Sequence, residues 1–157
     1  IAEHVKWVET GGSQGARAEF TRADLSGLDL SGQRLTGAVF KEAKLRGTKL
    51  AGASLNLASF TDSDLTGADF SGAELRGVRF DQSNLERARF CDADLGIETV
   101  RLMGSQGADR ASVRSACQVT QANFTGARAA GLVAKGIDLS KAVASGEFLE
   151  AVLKPAG

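Results

Sequence analysis

The chain has 157 residues, of which 43% are hydrophobic and 24% are charged, a composition that favours a folded protein over a disordered chain. Basic and acidic side chains both number 19, and this balance argues against a generally basic nucleic-acid-binding protein. No apolar run approaches the roughly 20 residues needed to span a bilayer, so no membrane partner is expected. Cys91 and Cys117 lack the spacing of a zinc site or a disulfide framework, which favours a cytoplasmic protein without metal or cofactor.

Residues 1–17 are predicted to form an N-terminal cap and a lead-in to a repeat region. Three apolar residues recur at helical spacing and two glycines follow them: Ile1, Val5, Val8, Gly11 and Gly12. His4 is the only histidine of the chain, and no zinc ligands or Ser-His-Asp partners are arranged near it. We therefore expect His4 to be packed within the cap and to have no catalytic role.

Residues 18–100 form the main repeat region, which has a period of five. Every fifth residue from Phe20 to Leu95 is leucine or phenylalanine; a small residue usually stands two positions earlier, and glycine often follows two positions later. Residues two apart lie on one face of a strand, and glycine allows the backbone to turn without a steric penalty. The period therefore predicts short strands joined by turns, with leucine and phenylalanine in the core.

Positions 20 apart also share properties, which predicts a coil of this length with the inward side chains in columns. Two such columns form the predicted core stack: Phe20, Phe40, Phe60 and Phe80, followed by Val100, and Leu25, Leu45, Leu65 and Leu85. Two positions after each phenylalanine of the first column, where other repeats often have glycine, the residues are Arg22, Glu42, Asp62 and Gln82. A charged residue in place of Phe60 or Leu65 is expected to abolish folding, because a buried charge would have no partner.

Ala-Asp-Leu-Ser-Gly at 23–27 and Ala-Asp-Phe-Ser-Gly at 68–72 resemble the motif of the pentapeptide repeat family, and the lead-in with His4 and Trp7 is similar to that of bacterial members. The resemblance implies an all-β fold, a right-handed quadrilateral β-helix or pentapeptide-repeat solenoid, with four pentapeptides in each coil. The length then gives about six coils, spaced about 4.8 Å apart, with short capping segments at both ends. No arrangement of residues in the sequence favours an enzyme, so a non-catalytic protein is expected, and in some members of the family a C-terminal segment forms a homodimer.

The five-residue period breaks after Val100 and resumes in a shifted phase at Phe124. Because the separation of these two positions is not a multiple of five, we predict an irregular loop or phase break over 101–116, a second repeat run over 117–146 and a C-terminal cap over 147–157. Loops on rigid scaffolds often carry recognition. The candidate interaction residues of this loop are Met103, Gln106, Asp109 and Arg110.

Charge is unevenly distributed, since residues 51–100 have nine acidic and four basic side chains. The resemblance implies a scaffold for a protein partner of unknown identity. Alternatively, quinolone-resistance members of the family resemble B-form DNA in size and charge and engage DNA gyrase, a type II topoisomerase. Candidate residues for such DNA mimicry are Asp62, Asp64, Asp69 and Asp81, unless Asp64 and Asp69, which share an outward repeat position with other aspartates, only form a solvated face. A contiguous acidic stripe would favour mimicry and interspersed charges would favour the scaffold, with direct nucleic-acid binding expected in neither case.

Overall fold

The computed structural model describes residues 1–103, 109–134 and 136–153. Within these ranges, helix α1 comes first and helix α2 comes last, with short strands between them. The elements are α1 (Ala2–Glu9), β1 (Asp94–Leu95), β2 (Glu98–Met103), β3 (Asp109–Ser115), β4 (Asn123–Phe124), β5 (Val133–Ala134), β6 (Val143–Ala144) and α2 (Glu147–Leu153). Strand β1 pairs with β5 and β4 with β6 in parallel, whereas β2 and β3 form an antiparallel hairpin.

Successive coils of the repeat region are joined by single parallel bridges between positions 20 apart, such as Asp24 with Lys44 and Lys44 with Asp64. Each repeat makes two kinds of backbone hydrogen bond across coils. The Lys44 N–H donates to the Ala23 carbonyl at 2.9 Å, and the Leu45 N–H donates to the Asp64 carbonyl at 2.7 Å. The fold is therefore a β-helix, and the length of its coil agrees with the periodicity of the sequence.

Each repeat ends in a hydrogen-bonded turn, as where the Ala43 N–H donates to the Phe40 carbonyl at 3.1 Å. The second central residue of these turns has a positive φ, the conformation that a type II turn reserves for glycine. Eight residues other than glycine adopt it, with φ between 56° and 61°: Arg22, Glu42, Leu57, Asp62, Gln82, Arg87, Asp92 and Gln121. A left-handed conformation costs such residues about 1–2 kcal/mol each, and the ladder between coils holds them there. The Arg22 N–H, for example, donates to the Lys41 carbonyl at 2.9 Å.

The core is a stack of inward side chains, as the period predicts. From Leu35 to Leu95, every inward leucine and phenylalanine is fully buried. Phenylalanine rings of the first column lie over one another, with centroid distances of 4.7 Å between Phe40 and Phe60 and 5.3 Å between Phe60 and Phe80. The polar residues at inward positions form hydrogen bonds with the backbone. The Ser83 hydroxyl, for example, donates to the Phe80 carbonyl at 2.6 Å. Phe20 and Leu25 of the first coil are only partly buried.

Two sequence expectations about the break after the main repeats need correction. The β2–β3 hairpin takes the place of the predicted irregular loop and begins at Glu98, inside the predicted main repeat region, because residues 98–103 and 109–115 satisfy each other's backbone groups. Val100 pairs with Val113 in this hairpin and does not continue the first core column. The position after Phe80 in that column is taken by Val119, which is buried. The Phe80 N–H donates to the carbonyl of the preceding residue, Gln118, at 2.7 Å.

Each end of the solenoid contacts one helix. At the start of the chain, His4 is buried and its Nδ1 accepts a hydrogen bond from the Ala18 N–H at 3.0 Å. The ring of Trp7 stacks on His4 with a centroid distance of 5.7 Å. At the other end, Phe148 of α2 stacks on Phe124 at 4.2 Å. In the described part of the chain, no helix combines the length and the apolar character needed to cross a membrane.

Candidate interaction surface

The β2–β3 hairpin departs from the solenoid after Ile97 and returns at Cys117. Arg79 bridges Gln118 at an offset of 39 along the chain, whereas the other bridges before the break have an offset of 20, so the hairpin segment nearly doubles the length of one coil. The base of the hairpin rests on a corner of the coil. A Cβ atom at Gly77 would lie 2.9 Å from Cδ2 of Leu57 and 3.0 Å from the carbonyl oxygen of Ser115. Only glycine therefore fits at that corner, where φ is +63°.

Three of the four predicted loop residues lie near the distal end of the hairpin. Met103 pairs with Asp109 and Leu102 pairs with Ala111, which leaves Arg110 as the extra residue of a β-bulge. Bulges redirect side chains and bend the strand that carries them. The structure thus brings the backbones of Met103, Asp109 and Arg110 together, while Gln106 lies outside the described residues.

The four predicted acidic residues do not form a stripe of a single charge. Three of them lie beside arginines, with closest nitrogen–oxygen distances of 3.4 Å for Arg46–Asp64, 4.0 Å for Arg89–Asp69 and 3.6 Å for Arg79–Asp81. Asp62 occupies a corner position with φ of 61° and has no ion pair within the described ranges. None of the four belongs to the hairpin, so the two groups of candidate residues are separate parts of the surface.

Stacking of the coils explains the pairing, because outward residues of successive coils become neighbours. The column that begins at Asp29 continues with Lys49, Asp69 and Arg89, and its charges alternate over these four coils before Arg128 follows Arg89. Lys49 Nζ lies 3.8 Å from Asp29 Oδ2. At the first corner, Arg22 Nε lies 2.8 Å from Glu42 Oε2, and this hydrogen bond lowers the pKa of the Glu42 carboxyl. Charges that are separated in the sequence therefore neutralise each other on the surface.

A ladder of side-chain hydrogen bonds, not anticipated from the sequence, runs along a neighbouring column. Thr66 Oγ1 donates to Asp64 Oδ1 at 2.6 Å, and Asn84 Nδ2 donates to the same Thr66 oxygen at 3.1 Å. Asn123 Nδ2 then donates to Asn84 Oδ1 at 3.2 Å across the level at which the hairpin is inserted. The asparagines at positions 84 and 123 could have indicated this ladder only if the length of the inserted hairpin were known.

A cleft of about 240 Å³ lies beside the hairpin base and combines two arginines with apolar side chains. Its lining residues are Arg76, Asp94, Gly96, Ile97, Arg114 and Val133. Arg76 binds the Asp94 carboxylate through Nε and Nη2, both at 2.7 Å, which raises the pKa of the Arg76 guanidinium. Val133 is 48% exposed. The sequence offers one signal for this cleft, because Ile97 stands at a turn position that is usually glycine.

A second cleft, of about 210 Å³, lies where the chain re-enters the solenoid. Its lining includes Asp81, Asp138, Lys141 and the buried Cys117. The Cys117 thiol donates to the Leu75 carbonyl at 3.1 Å, and burial raises its pKa to about 11. A thiol that stays protonated is a poor nucleophile, so Cys117 has a packing role. The described residues contain no cluster of three or more histidine, cysteine or acidic side chains suited to a metal ion.

Comparison with known proteins agrees with this architecture. Residues 14–90 match the sequence family described as a pentapeptide repeat region, and no curated protein matches the chain. A pentapeptide repeat protein from the thylakoid lumen of Arabidopsis thaliana is similar in structure, with a TM-score of 0.52 and 36% identity over 67% of this chain and 60% of that chain. The plasmid-mediated fluoroquinolone resistance protein QnrB1 has the same fold, with a TM-score of 0.51 and 18% identity over 81% of this chain and 77% of that one. The ladder between coils, the buried columns and these matches show that the chain belongs to the pentapeptide repeat family.

Proposed function

We propose that this protein is a non-catalytic scaffold that binds a protein partner through the β2–β3 hairpin and the surface beside it. The observation that carries the proposal is the insertion of the hairpin into one coil, which the repeat does not need in order to continue. The coils before and after it keep the same ladder, so the solenoid serves as a rigid support for a projecting element. Recognition residues are often found on loops that a rigid scaffold positions.

The distribution of charge favours a scaffold over a DNA mimic. A DNA mimic needs a row of like charges at the spacing of phosphates. Asp64, Asp69 and Asp81 lie next to arginines, which shortens any acidic row on this part of the surface. The likeness to QnrB1 supports the shared fold, and the alternative partner is DNA gyrase.

The proposal also covers the shape of the coil, its handedness and the number of coils. Four pentapeptides fill the distance along the chain between bridged residues, which supports a four-sided coil, and the family resemblance adds right-handed winding and a total of about six coils. The family resemblance supports a homodimer through the C-terminal segment, and the cysteine pattern favours a cytoplasmic location.

The proposal is tested with a variant that lacks the hairpin but keeps the phase of the repeat. Deletion of residues 98–116 joins Ile97 to Cys117 and restores the ordinary spacing between bridged residues. Ile97→Gly is added because Ile97 then becomes a turn residue. Both chains are immobilised, and proteins captured from a lysate of the source organism are quantified. We expect a partner retained only by the full chain, and equal capture by the two chains would refute the role of the hairpin.

A supercoiling assay with purified DNA gyrase separates the alternative. Inhibition by the full chain and by the hairpin-deleted chain alike would favour an acidic surface of the solenoid as the binding element. Inhibition by the full chain only would identify gyrase as a partner of the hairpin. An unaffected enzyme would leave the scaffold with a different protein partner.

A further inference from the structure

The first coil leaves part of its backbone edge open. Within the described residues, the N–H groups of Asp24 and Asp29 and the carbonyls of Asp24 and Ser26 have no hydrogen-bond partner in the protein. The equivalent groups of the second coil are all paired, as where the Lys44 N–H donates to the Ala23 carbonyl. An unpaired edge of this kind is a template for a further strand.

Helix α1 covers only one side of this end. Its contacts are with the start and the last corner of the first coil, where His4 accepts from the Ala18 N–H and Glu9 pairs with Arg34 at 2.6 Å. The ring of Trp7 lies against the corner glycine Gly37. In the part of the chain that the structure describes, α1 makes no hydrogen bond or ion pair with the two repeats between these contacts, residues 23–32.

Apolar side chains are exposed along the same edge. Leu28 occupies an inward position where the later coils have Thr48, Ala68 and Ala88, and it is 48% exposed. A side chain of this size fits there because no coil lies over it. Leu25 and Leu30 are only partly buried, whereas Leu45 and Leu50 of the next coil are completely buried. The edge thus offers backbone groups and apolar surface together.

Charge indicates what would complement this edge. In the two columns that start at Asp24 and Asp29, the next coil has Lys44 and Lys49, and the third has aspartates again. The N–H groups of Ser26 and Ser31 donate to the two carboxylates at 3.1 Å and 3.0 Å, and hydrogen bonds from these serines lower the pKa of both aspartates. Both carboxylates are therefore charged at neutral pH, and a strand added before the first coil would continue the alternation with basic residues.

We propose that the open edge at residues 23–31 binds an extended segment of a protein partner by backbone pairing. The segment has two basic residues five positions apart, each followed by an apolar residue. This is the pattern of the second coil itself, where Lys44 precedes Leu45 and Lys49 precedes Leu50. Backbone pairing supplies affinity in such strand addition, and alternate side chains supply specificity. The inference deepens the proposed scaffold function and rests on it, but it uses a surface separate from the hairpin.

The test uses a fluorescein-labelled peptide with the sequence of residues 38–52 and a control peptide with Lys44→Glu and Lys49→Glu. Fluorescence anisotropy is measured while the full chain is titrated. We expect saturable binding of the lysine peptide and about tenfold weaker binding of the glutamate peptide, since two exposed ion pairs become repulsive. Leu28→Lys removes apolar surface from the edge and adds a positive charge beneath a basic segment, so it is expected to abolish binding, with circular dichroism to check that this variant folds.

Matched variants of the chain identify the edge. Asp24→Asn with Asp29→Asn should weaken binding about fivefold, since both edge charges are lost. The turn is preserved, because Asn84 accepts the Glu86 N–H at 3.2 Å in the same position of another coil. Asp64→Asn with Asp69→Asn changes the same column positions in an interior coil whose edge is already paired, and it should leave binding unchanged.

Equal binding of the two peptides, or equal loss in the two double variants, would overturn the proposal. If no peptide binds while the full chain still captures a hairpin-dependent partner, the edge proposal fails and the scaffold function stands. If neither kind of binding occurs, both proposals fail. Sedimentation equilibrium that shows self-association of the chain, lost in Asp24→Asn with Asp29→Asn, would replace the partner segment by a second copy.

Discussion

Arg79 forms a parallel bridge with Gln118 on one side and with Ser59 on the other, although Gln118 is almost twice as far from it along the chain. The next bridges after the break, Asn84 with Asn123 and Arg89 with Arg128, keep the same long offset. The repeat therefore continues on the far side of the hairpin in the phase in which it stopped. The insertion replaces a turn of one coil and leaves the order of the inward columns unchanged.

The first prediction is that the solenoid folds without the hairpin. Deletion of residues 98–116 with Ile97→Gly restores a coil of ordinary length, so we expect a native β circular dichroism spectrum. A loss of up to about 5 °C in melting temperature, roughly 1–2 kcal/mol, is expected from the contacts at Gly77 and Ile97. Deletion of residues 98–118 with Ile97→Gly is the matched control, because it also removes two residues of the next coil, leaves that coil too short to close and should prevent folding. Equal melting temperatures for the two deletions would contradict the assigned register.

The second prediction concerns the core. Phe60 is fully buried and lies between Phe40 at 4.7 Å and Phe80 at 5.3 Å. Removing such a ring costs about 3–5 kcal/mol, and an unpaired buried charge costs more. Phe60→Asp should therefore unfold the chain, whereas Phe60→Leu should lower the free energy of unfolding by about 1–2 kcal/mol. Urea denaturation followed by circular dichroism measures both, and a folded Phe60→Asp chain would be inconsistent with the columns.

The sequence could predict the columns because the five-residue period places every fifth side chain inward, whatever its neighbours are. It could not predict the hairpin, because Val100 fits the period by coincidence while its backbone pairs with Val113. The excess of acidic side chains over residues 51–100 is a second example. Counting charges along the chain gives an acidic segment, but Asp69 and Arg89 become neighbours only when the coils stack. Pairing between distant residues decides both outcomes, and local pattern does not contain it.

The third prediction separates backbone strain from steric contact at the corners. Gly67 has a φ of +67°, and a Cβ atom added there would meet nothing within 4 Å, so Gly67→Ala should cost only the conformational penalty of about 1–2 kcal/mol. Gly77 has a similar φ of +63°, but its Cβ would meet the Ser115 carbonyl oxygen at 3.0 Å. Gly77→Ala should therefore be the more destabilising by urea denaturation. Leu57 Cδ2 lies 2.9 Å from the same Cβ position and stays when the hairpin is deleted, so the difference between the two substitutions should shrink but persist in that chain. An undiminished difference would exclude the hairpin base as a cause.

The fourth prediction is a pH dependence of the N-terminal cap. Burial lowers the pKa of His4 below 6.5, and the nearby N-terminal amino group and Arg17 lower it further. The unfolded chain therefore binds a proton on His4 more readily than the folded chain does. The contribution of neutral His4 to stability is therefore fully present above about pH 6.5, and it is lost as the pH falls below that value toward the pKa of the folded state.

The chain's only tryptophan, Trp7, stacks on His4 and reports this change. Melting temperature and Trp7 fluorescence should both fall between pH 7 and pH 5. His4→Gln should remove this part of the pH dependence, even where it lowers stability at every pH. An unchanged slope in His4→Gln would assign the effect to other groups.

The fifth prediction uses the difference between the two thiols. Cys117 is buried, and its pKa of about 11 leaves little thiolate at pH 8, whereas Cys91 is half-buried at an outward position. Because the thiolate is the reactive species, a disulfide reagent such as dithionitrobenzoate should modify Cys91 in the folded chain and reach Cys117 only when the chain unfolds. Cys91→Ser should therefore show no fast reaction, and its single slow reaction should follow the rate of unfolding in urea. A fast reaction in Cys91→Ser would mean that the thiol of Cys117 is open to the second cleft, and its assigned packing role would be wrong.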